Sequence, residues 1–122
     1  MFRDLAKFAR VVRVRSMTAT DKARYAAQAR IHKALAHPTR LFIIEELSRG
    51  ERCVCDLTEM IGVEMPTVSR HLSVLKSVGI VEDDKRGAQV FYSLRAACLM
   101  RFFRCVTELR RAALDREVSL LG

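Results

Sequence analysis

The sequence predicts a mainly α-helical protein with one small β-hairpin. Apolar residues recur at helical spacing from residue 21 onward, and glycines or prolines separate the helical segments. Between Ile80 and Leu94 the spacing changes, and residues that favour strands lie on both sides of a polar turn. A chain of 122 residues suits one domain. We therefore expect a domain over residues 21–122, preceded by an N-terminal extension over residues 1–20.

The first helix is predicted to run from Asp21, a favourable N-cap, to Ala36. His37 follows and is predicted to cap the second helix, because Pro38 suits a first helical turn. The second helix ends before Gly50, after about three turns of 3.6 residues each.

The third and fourth helices are separated by a short connection. The third begins at Cys53 or Val54 and stops at Gly62, whose backbone tolerates a left-handed conformation. The fourth opens at Pro66 and ends at Gly79. The predicted inward-facing residues of the second, third and fourth helices are Leu41, Ile44, Leu47, Val54, Leu57, Ile61, Val68, Leu72 and Leu75.

The hairpin is predicted to turn within the polar cluster from Asp83 to Gly87. A long last helix is predicted over Arg95–Leu121, a stretch without Pro or Gly. One face of this helix carries Leu99, Phe102, Phe103, Val106, Leu109 and Ala113. Because a chain this short leaves such a face exposed, we expect a homodimer through the first and last helices.

The charge and the order of the elements favour double-stranded DNA as a partner. Lys and Arg number 22 against 14 Asp and Glu, a net charge of +8. Two helices joined by a short turn and followed by a basic hairpin predict a winged helix-turn-helix. Lys85 and Arg86 lie where a wing reaches a minor groove or phosphates, whereas Asp83 and Asp84 are assigned to the strand–turn junction. The predicted DNA contacts are Thr67, Ser69, Arg70, His71, Ser73, Lys76, Lys85 and Arg86.

Other function classes are disfavoured. No apolar run approaches the roughly 18 residues of a membrane span, so we expect a cytoplasmic protein with reduced thiols. An enzyme with a nucleophilic Cys and His32 or His37 as base would need a pocket and an oriented base, and we expect no enzyme. Cys98 and Cys105 are interpreted as packing residues, whereas the spacing of Cys53 and Cys55 favours metal or redox chemistry.

Four segments occur in the order and spacing of a known family. They are ALAHPTRL at 34–41, CVCDL at 53–57, PTVSRHL at 66–72 and Gly79–Val81. In these segments the chain resembles the ArsR/SmtB family, which implies a dimeric repressor that leaves its operator when an inducer binds. The second segment resembles the arsenite and antimonite sensors and implies Cys53 and Cys55 as ligands of As(III) or Sb(III), with no organic cofactor. It also implies Ser69 and His71 as operator contacts.

The resemblance leaves the rest of the ligand set open. Thr58 stands where the sensor pattern has a third cysteine. Cys98 or Cys105 of the dimer partner, a small thiol or solvent would complete the coordination, or two thiolates would suffice. The zinc-type branch carries Asp, His and Glu ligands on the last helix, and residues 95–121 contain no His, so a site of that kind is not expected.

Two thiols at this spacing would bind a soft ion only from non-helical backbone. In a helix, residues i and i+2 lie about 200° apart around the axis, whereas in an extended chain they point the same way. Chelation by Cys53 and Cys55 should therefore open the start of the third helix, which supports the fourth. The helix N-terminus, with Arg49 and Arg52, is expected to favour the thiolates.

Two alternatives keep the same fold. One is a thiol or persulfide redox sensor that pairs Cys53 or Cys55 with Cys98 or Cys105. The other is an architectural DNA-binding protein, in which the cysteines have no regulatory effect. Among soft ions, the sequence leaves arsenite, antimonite, cadmium, lead and bismuth open as inducers.

Overall fold

The computed structural model describes residues 14–121, so most of the predicted extension lies outside the described residues. Within this range the chain forms five helices and one three-stranded sheet. The elements are α1 (Ala19–Leu35), α2 (Pro38–Ser48), β1 (Arg52–Cys53), α3 (Val54–Ile61), α4 (Met65–Ser77), β2 (Val81–Arg86), β3 (Gln89–Leu94) and α5 (Leu99–Leu121).

The start of α1 lies two residues earlier than predicted. Thr18 Oγ1 accepts a hydrogen bond from the Asp21 N–H at 3.1 Å, and Asp21 Oδ2 accepts one from the Thr18 N–H at 3.0 Å. This reciprocal arrangement is a capping box, with the acid three residues after the cap. The backbone N–H of Thr18 lowers the pKa of the Asp21 carboxyl. The prediction of Asp21 as N-cap is therefore wrong, because Thr18 has that position.

The core from His32 onward is formed by α2, α3, α4 and the sheet. Most of the predicted inward-facing residues are confirmed, but Leu41 is 40% exposed and Ile43 is fully buried instead. Leu41 and Ile43 are about 200° apart around the helix axis, so only one of them can lie on the buried face with Ile44 and Leu47. The buried core residues are Ala34, Leu35, Ile43, Ile44, Leu47, Leu57, Val68, Leu72, Leu75, Ile80, Val81 and Tyr92.

The sheet is antiparallel in the order β1-β3-β2. Strands β2 and β3 form the predicted hairpin, but their turn is Gly87–Ala88, with Arg86 opposite Gln89. Gly87 has φ +62, a value that favours glycine at this first loop position. The placement of Asp83 and Asp84 at a turn junction is wrong, because both lie within β2, opposite Tyr92 and Phe91.

Helix α5 has no buried residue in the protomer. Its predicted apolar face is present, with Phe102, Val106 and Leu109 exposed by 43%, 46% and 66%. Together with the end of α1 and with α2, it borders an apolar cavity of about 530 Å³. No helix within residues 14–121 has the length and apolar character needed to cross a membrane.

Candidate DNA-binding surface and thiol site

The geometry of α3 and α4 is that of a helix-turn-helix. Gly62, with φ +77, ends α3 and donates its N–H to Thr58 O, so the chain turns sharply before α4. Three residues of α4 lie in the core, namely Val68, Leu72 and Leu75. All six predicted DNA contacts of α4 lie outside that buried stripe: Arg70, Ser73 and Lys76 are exposed, and Thr67, Ser69 and His71 are half-buried.

Lys76 at the end of α4 is engaged by the hairpin. Its Nζ lies 2.9 Å from Asp83 Oδ1, and the hydrogen bond to Asp83 raises the pKa of the ammonium. The pair ties α4 to β2, so a residue predicted as a DNA contact also holds the wing against the fourth helix. Asp83 thus has a structural function within the sheet, although it does not lie in the turn.

Arg86 near the hairpin tip is bound on three sides. Its Nη1 and Nη2 donate to the two carboxylate oxygens of Glu51 at 2.6 and 3.0 Å, and its Nε donates to Asp84 at 2.9 Å. The guanidinium also lies 4.7 Å from the centre of the Phe91 ring. The hydrogen bond from Arg86 lowers the pKa of the Glu51 carboxyl, and the carboxylates raise that of Arg86. We name this group, Glu51, Asp84, Arg86 and Phe91, the wing clamp.

Lys85 differs from its neighbour. It is exposed and forms no ion pair with any residue from 14 to 121. Of the two cations predicted to reach DNA from the hairpin, Lys85 is therefore available without rearrangement, whereas Arg86 must first leave two carboxylates. The sequence did not indicate Glu51 as a functional residue, because its partner is 35 positions away.

Cys53 lies at a junction that the sequence only partly indicated. It is the last residue of β1, opposite Phe91, and also the N-cap of α3, with φ −78 and ψ 160. Its Sγ accepts a hydrogen bond from the Asp56 N–H at 3.3 Å, and the side chain is buried, with 5% exposed. One thiol therefore caps α3 at the point where the third strand joins the sheet.

The thiol of Cys53 is held in its protonated form. The hydrogen bond from the Asp56 N–H lowers the pKa, but burial and the charges of Asp56 and Cys55 outweigh it and raise the net pKa. Arg49 and Arg52 interact with Glu46 instead, at 2.5 and 3.9 Å. The prediction that these two arginines favour a thiolate is wrong for Cys53, because the buried Glu46 engages both.

The other thiols are accessible. Cys55, in the first turn of α3, is exposed, and so are Cys98 and Cys105. The interpretation of Cys98 and Cys105 as packing residues is therefore wrong for the protomer. Thr58, where a third thiol was sought, donates its hydroxyl to Val54 O at 2.7 Å. Within residues 14–121, no three His, Cys, Asp or Glu side chains are grouped closely enough to hold a metal ion.

Comparison with known proteins gives a consistent relationship. Residues 37–83 match the family model described as bacterial regulatory protein, arsR family. The chain is 40% identical over 90 residues to a probable mercury resistance operon repressor of Streptomyces lividans, covering 71% of this chain and 72% of the relative. The transcriptional repressor BigR of Xylella fastidiosa is 35% identical, with a TM-score of 0.62, covering 76% of this chain and 96% of that one.

A third similar structure bears on the architecture. It is a homodimeric winged helix-turn-helix DNA-binding domain from Mycobacterium bovis, a possible ArsR-family transcriptional regulator. It is 30% identical with a TM-score of 0.69, and the match covers 84% of this chain and 95% of that domain. The predicted winged helix-turn-helix fold is thereby confirmed.

The wing clamp generates a first prediction. Substituting Glu51→Gln removes the negative charge of one of the two carboxylates that hold Arg86, so the guanidinium should become more available to DNA. We expect operator binding to tighten roughly two- to fivefold, since exposed ion pairs are weak, and its salt dependence to steepen. Fluorescence anisotropy with an operator duplex at several salt concentrations measures both quantities.

Glu82→Gln is the matched control for this experiment. Glu82 lies on β2 and faces Arg95 at 3.7 Å, so its substitution changes the net charge equally without touching the wing clamp. Equal affinities of the Glu51→Gln and Glu82→Gln variants would show that only overall charge matters and that the clamp does not restrain Arg86.

Proposed function

This chain belongs to the arsR family of bacterial regulatory proteins, and on that premise we propose a metalloid-responsive repressor whose inducer binds Cys53 and Cys55. As(III) and Sb(III) are the proposed inducers, because soft ions prefer thiolate ligands. The observation that carries the proposal is the double position of Cys53, as cap of α3 and as partner of β3. An ion that recruits this thiol acts on both DNA-binding elements.

Recruitment of Cys53 requires a local rearrangement. Cys55 is exposed and Cys53 is buried, so a single ion reaches both only when the Cys53 side chain leaves the interior. The thiol then gives up the Asp56 N–H that it accepts in the absence of inducer. Cys53 already has extended backbone, so the part of α3 that must open is its first turn at Val54 and Cys55.

The recognition helix is linked to this turn through the core. Leu57, one turn after Cys53, is fully buried beside Val68 and Leu72 of α4 in one apolar cluster. Side-chain caps stabilise helices by about 0.5–2 kcal/mol, so removing one is enough to shift α3 without unfolding the domain. A coupling free energy of about 3 kcal/mol between inducer binding and DNA binding would change operator affinity roughly 150-fold.

The wing is linked to the same residue through the sheet. Cys53 pairs with Phe91 across β1 and β3, and the Phe91 ring lies under the Arg86 guanidinium. Glu51, which holds Arg86, precedes Cys53 by two residues on the same segment. We therefore propose that inducer binding displaces the wing clamp together with the cap of α3, so that the wing and α4 no longer present a common surface.

The DNA-binding form in this proposal is a homodimer. The exposed apolar face of α5 and the cavity of about 530 Å³ beside it would be covered by the same surfaces of a second copy. Such a dimer presents two copies of α4 to two half-sites of an operator. The residues that would be covered include His32, Leu35, Leu41, Phe42, Phe102, Phe103 and Val106.

The chemistry balances with two protein thiols. Arsenite is present near neutral pH as arsenous acid, and each thiol displaces one hydroxide, forming one As–S bond and one water. The third hydroxyl stays on arsenic, which accounts for a site without a third cysteine. The Thr58 hydroxyl already donates to Val54 O and is not needed as a ligand.

A cysteine substitution tests the proposed ligands. Cys53→Ser keeps a capping oxygen for the Asp56 N–H, so the variant should fold and bind the operator. It should not be released by arsenite, whereas the wild type and Cys98→Ser should both be released. A gel shift with an operator duplex, titrated with arsenite and antimonite, measures the release.

Release of Cys53→Ser by arsenite at wild-type concentrations would contradict the proposed site. Loss of the response in Cys98→Ser, with intact protein mass spectrometry showing a Cys53 or Cys55 disulfide to Cys98 after oxidant, would favour the redox sensor. Burial and the raised pKa of Cys53 disfavour a disulfide formed by this thiol, so the redox alternative is expected to use the exposed Cys55.

Hg(II) is a second candidate inducer. The relative from Streptomyces lividans is a probable mercury resistance operon repressor, and a pair of thiolates satisfies a two-coordinate soft ion. The two ions differ in their proton balance. Binding of Hg(II) by two thiols releases two protons, whereas exchange of hydroxide on arsenous acid yields only water.

The pH dependence of release therefore distinguishes the two inducers. Because the pKa of Cys53 is raised, its thiol stays protonated near neutral pH and must lose the proton to Hg(II). The apparent affinity for Hg(II) should rise as pH increases toward that pKa, and the affinity for arsenite should stay level. Fluorescence titration of release between about pH 6 and 8 measures this. If the apparent affinity for arsenite rises with pH as the apparent affinity for Hg(II) does, the hydroxide-exchange chemistry is contradicted.

A further inference from the structure

A small cavity beside α4 has a mostly apolar wall, and several of its lining residues carry potential anion-binding groups. Its volume is about 240 Å³, and its lining residues are Arg40, Thr67, Arg70, His71 and Val74. Arg40 belongs to α2, and the other four belong to α4. No carboxylate is among these residues, so the cavity combines two guanidinium groups, an imidazole and a hydroxyl. We name it the Arg40 pocket.

Arg40 is held there with part of its hydrogen-bonding capacity unused. Its Nη1 lies 3.4 Å from His71 Nδ1, and its Nη2 lies 3.5 Å from Lys33 O, both long contacts. Its Nε is buried and has no hydrogen-bond partner among the described residues. A buried donor without a partner is costly and points to a ligand that is accommodated in another state.

The positive charge of the pocket is not compensated by carboxylates among the described residues, as is also the case for Lys33, Lys85 and the arginines of α5. Neither Arg40 nor Arg70 forms an ion pair with a residue from 14 to 121. Five other cations of the described chain from His32 onward do form ion pairs, with Glu46, Glu51, Asp83, Asp84 or Glu82: they are Arg49, Arg52, Lys76, Arg86 and Arg95. The positive charge that remains uncompensated includes this pocket.

His71 lines the same cavity and contacts Arg40. Its Nδ1 faces the Arg40 guanidinium, which can only donate, so Nδ1 accepts and the proton resides on Nε2. The ring lies 4.4 Å from that of His37, whose Nδ1 accepts the Thr39 N–H. The predicted capping function of His37 is thereby confirmed. Burial, followed by the charges of His37, Arg40 and Arg70, lowers the pKa of His71.

We propose that the Arg40 pocket binds one phosphate oxyanion, and that this phosphate belongs to the operator backbone. Guanidinium groups match the oxygens of a phosphate in geometry and charge, and a hydroxyl and an imidazole N–H add further donors. Three of the lining residues, Thr67, Arg70 and His71, are on the fourth helix, beside the predicted base contacts. A phosphate held between α2 and α4 would set the depth and register of α4 in the major groove.

Arg40 thereby becomes a positioning residue contributed by the second helix, outside the predicted contacts on α4 and the wing. The proposal does not depend on the inducer site, because it concerns only the DNA-bound form. It explains why the half-buried Arg40 lies near two histidines with its Nε unpaired: the phosphate supplies the negative charge that no side chain of the described residues supplies there.

Charge removal at Arg40 tests the proposal. Arg40→Gln should weaken operator binding about tenfold, the effect of one charge-assisted hydrogen-bonded contact. The slope of the salt dependence should fall by roughly two per dimer, since each of two phosphates contributes about 0.9. Relative affinities for operator variants should not change, because a phosphate contact carries no base information.

Arg95→Gln is the matched control, since Arg95 is exposed and only 3.7 Å from Glu82, outside the pocket. Circular dichroism establishes that each variant is folded. Equal affinity and equal salt slope for Arg40→Gln and Arg95→Gln would overturn the proposal. So would an altered preference among operator variants without a change in slope.

The wild-type protein provides a test that does not depend on the folding of a variant. A backbone phosphate beside His71 should stabilise the imidazolium, so NMR titration should show a higher His71 pKa in the operator complex than in the free protein. The other charged and titratable groups near this ring are His37, Arg40 and Arg70. They would lower the His71 pKa or leave it unchanged. An unchanged or lower His71 pKa in the complex would overturn the proposal.

Inorganic phosphate distinguishes the source of the oxyanion. The DNA-free protein is titrated with millimolar phosphate while the His71 resonances are followed. One outcome would overturn the operator-backbone assignment and assign the pocket to a free phosphate. In that outcome, the phosphate-induced shifts saturate in the wild type and are absent in Arg40→Gln, and the operator affinity of Arg40→Gln is unchanged. Weak or absent shifts together with the loss of operator affinity support the operator-backbone assignment.

Discussion

The hydrogen bond from the Asp56 N–H to the Cys53 thiol is the constraint on which the DNA-binding half of the molecule depends. It fixes the point where β1 becomes α3, so the sheet that carries the wing and the helix that supports α4 share one residue. The hydrogen bond from the Asp56 N–H lowers the pKa of this thiol, but burial and the charges of Asp56 and Cys55 outweigh that effect, so the net pKa is raised. In the proposed function, a soft ion would compete directly with this structural contact, so that binding and rearrangement would be a single event.

Charge pairing determines which cations remain for DNA. The wing clamp and the Lys76–Asp83 pair stabilise the hairpin with the same side chains that a basic wing would offer to phosphates. Lys85, Arg40 and Arg70 remain outside such pairs within the described chain. The net charge of +8 therefore overstates the attraction at the wing tip and understates the concentration of positive charge beside α4. DNA affinity therefore depends on which cations the carboxylates leave unpaired.

Local signals predicted the helices well and the tertiary contacts poorly. Pro38, Gly62 and the apolar spacing of α4 act within a few residues, so the corresponding helix limits and core faces are confirmed. Strand β1 has two residues, too few for a periodic pattern, and exists only because β3 pairs with it. The turn was misplaced because Asp83, Asp84 and Gly87 are all turn residues, whereas Asp83 and Asp84 lie within β2 and pair with Lys76 and Arg86. Glu51 and Arg40 were missed because their partners are distant in sequence. The DNA contacts and thiol ligands remain predictions.

Loss of the Cys53 cap on inducer binding can be followed at the Asp56 amide itself. Hydrogen exchange measured by NMR on the DNA-free protein, with and without saturating arsenite, reports whether the Cys53 thiol still accepts that N–H. We expect arsenite to accelerate Asp56 exchange by about tenfold or more, as for a lost cap of roughly 1.4 kcal/mol, and we expect no acceleration in Cys53→Ser. An Asp56 amide that keeps its protection in arsenite-saturated protein, under conditions that release the operator, would contradict the proposed loss of this cap.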